Sequence, residues 1–397
     1  MESVMILGAG PLQVPAIKKA KEFGMKVYCC DYDKDAVGFL LCDVPLVIST
    51  LDQDAVLQAA KKYNVDYVIT STSDAPVRTV AYVNEKLGKP LDISYEDAVC
   101  ATVKSAMRER LGKFGVPIPR YFVCKNFKDF SDAVKAINGN CVVKPSDSAA
   151  SRGVELFNSN HSEDEYKKQY EYSKSFSRNG IVMVEEFMHG PEVSVECMVV
   201  NRQVDIIAIT DKLVTPLPYF VELGHSEQSQ LPEETKNAIK KVATDAIHAI
   251  GIVNGCSHTE IKITEDGPKI VEIAARLGGD FITSKLVPLS TGVDMVGNTL
   301  ALALHKPIDL TRTKNCGSAI RFFGGKEGTL KEIIINGKPQ EIPGVREIEF
   351  YVKPGDIVHE LHSSNDRLGY VITEGKTAQQ AIVCAETVLN MVEFVIS

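Results

Sequence analysis

Two glutamates, Glu260 and Glu272, stand where a short hairpin would place them face to face, and that juxtaposition constrains the chain more than any other feature. Residues 257–280 read SHTEIKITEDGPKIVEIAARLGGD, with apolar-rich arms over 258–263 and 269–275 around a polar turn. A three-residue loop of Glu265, Asp266 and Gly267, with Gly267 at φ > 0, is a common hairpin closure. In that register Glu260 opposes Glu272. Strand alternation then puts His258, Glu260, Lys262, Glu272, Ala274 and Arg276 on one face, and Ile261, Ile263, Val271 and Ile273 on a core face. Directly opposed Cβ atoms lie about 5 Å apart, where like charges destabilise. At an effective dielectric of about 20 the repulsion is about 3 kcal/mol. A hard divalent cation shared with phosphate oxygens would relieve it. So would an exposed strand face on which Lys262 and Arg276 balance the acids, and the hairpin alone leaves both open.

A chain of 397 residues is too long for one small core, so two or three domains are expected. The net charge of −8, without a Lys/Arg stripe, argues against nucleic acid as the main partner. Ten cysteines form no CxxC pair, and Cys29 and Cys30 fall within an apolar strand. That pattern suits small buried thiols in a reducing cytoplasm rather than a disulfide framework or a zinc site. No apolar run reaches membrane-spanning length, and the N-terminus opens on a strand rather than a signal peptide. A cytoplasmic protein without a membrane partner is the expectation.

The order of elements predicts an α/β chain. A strand over 4–7, a turn with Gly8, Gly10 and Pro11, a helix over 13–23 and a strand over 25–30 form a βαβ unit of the doubly wound kind. A dinucleotide fingerprint needs a third glycine where Gln13 stands, so the turn is weak support for a nicotinamide-dependent dehydrogenase. A helix over 54–64, a strand over 65–70 and a helix over 77–87 continue the alternation. From 102 the character changes to helices over 103–114, 127–137 and 164–175, and to strands over 120–124, 141–144, 154–157, 181–187, 192–200 and 204–210. A long helix from Pro232 to Gly251 carries the apolar stripe Ile239, Val242, Ala246 and Ile250. After the hairpin come helices over 283–289 and 293–304, then short strands and a last helix over 377–395. The expected divisions are an N-terminal Rossmann-like domain over 1–101, a central α+β domain over 102–310 with a lid subdomain over about 120–187, and a small mixed α/β cap over 311–397.

Within this frame several segments carry chemistry. Lys144 ends an apolar strand and precedes a small-residue loop over 146–153, a way to hold a triphosphate with backbone N–H groups and hydroxyls. Taken alone, the segment fits an exposed turn between two strands somewhat better. Glu185 and Glu186 precede Phe187 at a strand end, and Glu192 follows. The succession Lys104, Lys144, small-residue loop, Glu185-Glu186-Phe187, Glu192, Glu260 and Glu272 resembles the ATP-grasp superfamily over about 102–307. The nearest subgroup is the carboxylate–amine ligases, which include L-amino-acid ligases; phosphoribosylglycinamide synthetase, biotin carboxylase and the carbamoyl-phosphate synthetase large chain are more distant.

That resemblance implies roles residue by residue. Lys104 and Lys144 would hold the phosphates of ATP under a lid that includes Ser148, Ser151 and Gly153. Glu185 and the backbone of Glu186, Phe187 and Met188 would meet the adenine, and Glu192 the ribose. Glu260 and Glu272 would bridge Mg²⁺, or Mn²⁺, to the phosphates. Arg276 would steady the transferring phosphate or the substrate carboxylate, Gly278 and Gly279 would shape the acceptor pocket, and His225 and His258 would sit near it. The implied reaction forms an amide bond through an acylphosphate, releasing ADP and phosphate, from small-molecule carboxylate and amine substrates. Homodimers are common in the group. Two departures stand out: Ala274 occupies the place where a further Asn ligand often stands, and the lid has a single glycine, with Ala149 and Ala150 in its middle. The rival implications are a phosphoribosylamine–glycine ligase and a non-catalytic ATP-binding relative.

Overall fold

The computed structural model describes residues 2–90, 92–148, 151–217 and 220–397. Its first layer is a parallel sheet in the order Val44–Val47, Lys26–Asp31, Ser3–Leu7, Tyr67–Thr70. The apolar runs of the last three strands are buried on both faces, as crossover helices require, whereas Val44–Val47 is half exposed. Met5 and Leu7 join Val56 and Ala60 in one core, while Ile6 and Val27 join Ile17 and Ala20 in another. The helix Gln53–Tyr63 starts at Asp52, whose carboxylate accepts from the Ala55 N–H, and stops at Asn64 in the left-handed region. Periodicity does not reveal the edge strand Val44–Val47. Four residues carry too short a pattern, and Pro45 is tolerated because the strand lies at an edge. Gln13, in place of a third glycine, donates its side-chain amide to Thr72 and Ser73 at 2.7 and 3.2 Å, tying the first turn to the end of the fourth strand.

An eight-stranded antiparallel sheet forms the middle of the molecule. Its order is Gly267–Ala274, Gly255–Thr264, Glu192–Val200, Gln203–Val214, Glu222–Glu227, Gly317–Phe323, Gly369–Gly375 and Val345–Phe350. The segment expected as a separate cap from 311 therefore supplies three of these strands. The helix Glu233–Ile250 buries its expected stripe, Ile239, Val242, Ala246 and Ile250, in the same core as Val195, Ile261 and Ile273. A separate four-stranded sheet, in the region expected as the lid and in the order Tyr121–Cys124, Val182–Glu186, Asn140–Pro145, Glu155–Asn158, packs on Phe130, Tyr166 and Tyr170 of its two helices.

Two expectations are corrected, and one strand without an expectation is added. The last helix ends at Leu389 rather than 395, and Val392–Ile396 forms a strand against Gly328–Ile335. The run VEFVI is rich in β-branched and aromatic side chains, and a neighbouring strand is there to pair with it. The segment Glu222–Glu227 is a buried strand, although its polar composition hides it from periodicity. The hairpin keeps Glu260 opposite Glu272 but closes differently. Thr264 pairs with Gly267 around Glu265 and Asp266, and a bulge between Glu260 and Ile261 absorbs the extra residue, Val271. The bulge reverses the alternation beyond it, so Ile270, not Val271, joins Ile261 and Ile273 in the core. Among the described residues no single helix is long and apolar enough to cross a membrane.

Candidate active site

The C-terminal ends of the parallel strands, the glutamate hairpin, Ser151 and Arg152 of the lid, and Ser364 and Asn365 enclose a cavity of about 1000 Å³. The ends of parallel strands are where open α/β sheets bind ligands. Of the residues singled out from sequence, Ser151, His225, His258, Glu260, Glu272, Ala274, Arg276 and Gly279 line it. Lys104 and Glu192 stand behind, ion-paired to lining residues, and Lys144 and Glu185 lie deeper at the root of the lid.

The facing glutamates each have a cation of their own. Lys104 Nζ lies 2.9 Å from Glu272 Oε1 and also donates to the Ser148 carbonyl at 2.9 Å. Lys212 Nζ lies 3.1 Å from Glu260 Oε1, 2.6 Å from Glu192 Oε1 and 3.6 Å from Glu222 Oε1. The cross-strand repulsion inferred from sequence is thus met first by two lysines. Burial works against the Lys104 charge, but Glu272 outweighs it and the ammonium is held above its ordinary pKa. Burial likewise works against the Glu260 charge, and Lys212 and His258 hold its pKa well below the carboxylate range.

Lys144 and Glu185 form a buried cluster with Arg108. Glu185 accepts from Arg108 Nε and Nη2 at 2.8 and 3.0 Å, and its Oε2 lies 2.7 Å from Lys144 Nζ. Desolvation opposes the Glu185 charge, but Arg108 and Lys144 outweigh it and keep its pKa at about 2. Burial depresses Lys144, Glu185 opposes this, and Arg108 and Lys104 tip the balance downward. The carboxylate expected to read the adenine edge is therefore engaged by two cations. Arg108 Nη2 also donates to the carbonyl of the bulged Val271 at 2.8 Å, so this cluster pins the hairpin to the lid. At the end of the strand Val182–Glu186, the Glu186 N–H donates to the Arg120 carbonyl and the Phe187 N–H to the Asn140 carbonyl, while the Glu186 carboxylate meets Lys269 at 3.1 Å. Glu192, expected at the ribose, is shared by Lys212 and, at 3.4 Å, Lys262.

The far wall of the cavity is built from histidine–carboxylate pairs. His258 Nδ1 lies 2.7 Å from the fully buried Glu196, and its Nε2 lies 3.5 Å from Glu260. Burial disfavours the imidazolium, but Glu196 outweighs it and pushes the His258 pKa up to about 9. Gly278 is required beside this pair, because a Cβ there would come within 2.7 Å of Glu196 Oε2 and 2.9 Å of His258 Nδ1. His225 Nε2 lies 3.1 Å from Asp280, which Arg367 also holds. Arg276 donates through Nε to Asp74 at 2.7 Å, joining the hairpin to the first domain.

For a divalent cation the donor set is one of hard oxygens: Glu260 and Glu272 line one cavity from opposed strand positions. Among the described residues no group of three or more His, Cys, Asp or Glu side chains is placed to hold a metal ion. Ala274, which pairs with His258 across the hairpin, offers a methyl where a further ligand was sought. Two carboxylates completed by phosphate oxygens and water fit Mg²⁺, which seldom uses an all-protein cage.

Sequence reasoning missed Arg108, Glu196, Lys212, Glu222, Asp280 and Arg367 as site residues. Two had a local signal. Arg108 lies four residues after Lys104 on one helix face, and Glu196 four residues after Glu192 on one strand face. The others meet the site through long-range packing. Ala149 and Ala150, expected to stiffen the lid, lie outside the described residues.

Comparison with known proteins places this architecture. Residues 137–284 match the ATP-grasp domain, and residues 321–397 match the L-amino acid ligase C-terminal domain 2. The alanine–anticapsin ligase of Bacillus subtilis is 29% identical over 246 residues, which span 57% of this chain and 51% of that one, about half its length. The crystal structure of an L-amino acid ligase from Bacillus licheniformis superposes with a TM-score of 0.85 at 19% identity, covering 100% of this chain and 99% of that one. Phosphoribosylglycinamide synthetase from Anaerococcus prevotii superposes at 0.78 with 21% identity, covering 100% of both chains. The chain contains an ATP-grasp domain and ends in a domain that matches the C-terminal domain 2 of the L-amino acid ligases.

Proposed function

We propose that this chain joins a small carboxylate to a small amine at the expense of ATP, with an amino acid as at least one of the two substrates. The observation that carries the reading is the pairing of Lys104 with Glu272 at 2.9 Å, directly across from Glu260, in a cavity that also holds Arg276. Cations and carboxylates so placed suit phosphoryl transfer, which asks for positioning and charge neutralisation more than for a protein nucleophile.

In the proposed reaction the substrate carboxylate takes the γ-phosphoryl group, giving an acylphosphate and ADP, and the amine then displaces phosphate to form the amide. Lys104 and Lys144 orient the phosphates, and Arg276 draws the substrate carboxylate toward them. Glu260 and Glu272 would hold Mg²⁺, whose charge would offset that of the phosphates. The lid root, clamped by Arg108 and Glu185, keeps Lys144 in place, while lid closure excludes water from the acylphosphate. With the Glu185 carboxylate and the Glu186 and Phe187 N–H groups already engaged, adenine recognition falls to the remaining main-chain groups of residues 186–188. The acidic wall around Asp280 and Glu222 suits an ammonium group better than a carboxylate. A reducing cytoplasm suits the ten cysteines, all free and seven of them buried.

Ser151 lines the cavity with a left-handed backbone, φ +55°, that few non-glycine residues adopt. If its hydroxyl helps close the glycine-poor lid over the phosphates, Ser151→Ala raises the KM for ATP by about three- to tenfold, the worth of one hydrogen bond. An unchanged KM and turnover would remove Ser151 from the site.

The phosphoribosylamine–glycine ligase alternative is not favoured, because the C-terminal domain matches that of the L-amino acid ligases. The test is a phosphate-release screen of amino acids, pairwise, with Mg²⁺-ATP, and with phosphoribosylamine plus glycine as a further pair. Release that requires both members of an amino-acid pair supports the reading and excludes a non-catalytic ATP binder. Release with phosphoribosylamine and glycine alone would reinstate the alternative.

A further inference from the structure

The acidic wall of the cavity is held from behind by one residue of the C-terminal segment. Arg367 follows the short turn Ser364–Asp366, and it is 5% exposed. Its Nη1 and Nη2 donate to the two oxygens of Asp280 at 2.8 and 2.9 Å, and Nη2 also donates to the main-chain carbonyl of Glu222 at 2.9 Å. The guanidinium carbon sits 3.6 Å from the centre of the Phe322 ring, which fixes its plane. Asp280, Glu222 and His225 line the cavity, whereas Arg367 does not. One buried guanidinium thus sets the position of three groups that face the substrate, two directly and His225 through Asp280.

The backbone at this wall needs such a clamp. Asp280 and Phe281 are consecutive non-glycine residues at φ +50° and +60°. Side chains rarely adopt that conformation, and it persists where the surroundings over-determine it. Lys212 cannot take over, because it is already committed to Glu192 at 2.6 Å and Glu260 at 3.1 Å. The Glu222 carboxylate is only loosely engaged. Arg367, the Ser364 hydroxyl and Lys212 approach it at 3.4, 3.4 and 3.6 Å, longer than charge-assisted bonds normally are. It can accept a closer cationic partner without breaking a strong bond.

We infer that Arg367 is a positioning residue for the amino-acid substrate: it locks the Asp280 carboxylate and the main chain at Glu222, and so places the acidic wall that receives the substrate's ammonium group. The C-terminal domain thereby forms part of the substrate site, and Arg367 is the residue through which it acts. The inference rests on the ligase reading above, and its test separates the two.

The test gives the wild type, Arg367→Lys and Arg367→Met each of the twenty L-amino acids singly, with Mg²⁺-ATP and hydroxylamine. The hydroxylamine nitrogen attacks the acyl carbon of an acylphosphate, the carbon–oxygen bond to phosphate breaks, and a hydroxamate forms as phosphate leaves and the nitrogen loses a proton. With the amino acid that yields most hydroxamate, Arg367→Met raises the amino-acid KM by about tenfold or more, the worth of a charge-assisted contact. Its KM for ATP stays within about twofold of wild type. Arg367→Lys keeps the charge but loses the fork, so it recovers to within about threefold of wild type. If Arg367→Met does not fold, Arg367→Lys decides on the same two constants, a rise of about threefold in the amino-acid KM alone supporting the inference. Amino-acid KM values unchanged in the folded variants, or amino-acid and ATP KM values rising together, would overturn it. A wild type that yields hydroxamate from none of the amino acids overturns this inference, and the ligase reading falls with it only if the pairwise phosphate-release screen is also negative.

Discussion

Replacing Glu272 by glutamine is expected to lower ATP turnover by about 100-fold or more, the scale seen when a preorganised charge is removed from a phosphoryl or acyl transfer site. The substitution is nearly isosteric, but it discharges one of the two carboxylates that face each other in the cavity and strips Lys104 of its ion-pair partner. Lys104 would then bear on the phosphates without a counter-charge, and one oxygen ligand would lose its charge. The fold should tolerate this. The Glu272 side chain is 27% exposed, and a partly exposed pair contributes about 1 kcal/mol or less. Turnover, thermal midpoint and the Mg²⁺ dependence of ATP binding, measured together, check the assignment. Substantial turnover in a well-folded Glu272→Gln enzyme would overturn the placement of the metal and phosphates at the hairpin.

The second large effect is on stability. Lys212 carries one charge among three carboxylates, Glu192, Glu222 and Glu260, at 2.6, 3.6 and 3.1 Å, and its side chain is 3% exposed. Burial opposes its charge, yet the three acids hold its pKa well above the ordinary lysine value. Lys212→Met removes the cation and leaves the acids to Lys262, Arg367 and His258, which stand 3.4 to 3.5 Å away. Breaking a buried network by removing one partner typically costs about 3–5 kcal/mol, a large share of a domain's stability of about 5–15 kcal/mol. Chemical denaturation of the two proteins measures it directly. A change below about 1 kcal/mol would mean that water reaches these carboxylates and screens them as it does at a surface.

Much of this protein was legible before its tertiary structure, and the legible part has a common physical basis. Glu260 and Glu272 could be paired because strand period and turn composition are local properties. The stripe Ile239, Val242, Ala246 and Ile250 lies in the core for the same reason. Where local pattern was short or contradictory, reading failed. The edge strand Val44–Val47 has four residues, and Glu222–Glu227 is polar because its side chains serve the site rather than the core. The hairpin shows the boundary well. Its central pair was correct and its closure was not, because a bulge at Glu260 and Ile261 shifts the register by one residue and exchanges Val271 for Ile270 in the core. That bulge turns the Val271 carbonyl to Arg108, a contact between residues 163 apart.

The candidate site divides along the same line. The sequence by itself determined the fold class, the order of charged segments and the facing glutamates, since each depends on neighbours a few residues apart. Tertiary structure decided which cation meets which carboxylate. It paired Lys104 with Glu272 across 168 residues and Lys144 with Glu185, and it placed Lys212 between three acids. It also brought Arg367 to Asp280 from 87 residues further on. Ion pairs form wherever packing brings opposite charges within reach of each other and away from water, and no period in the chain encodes that distance.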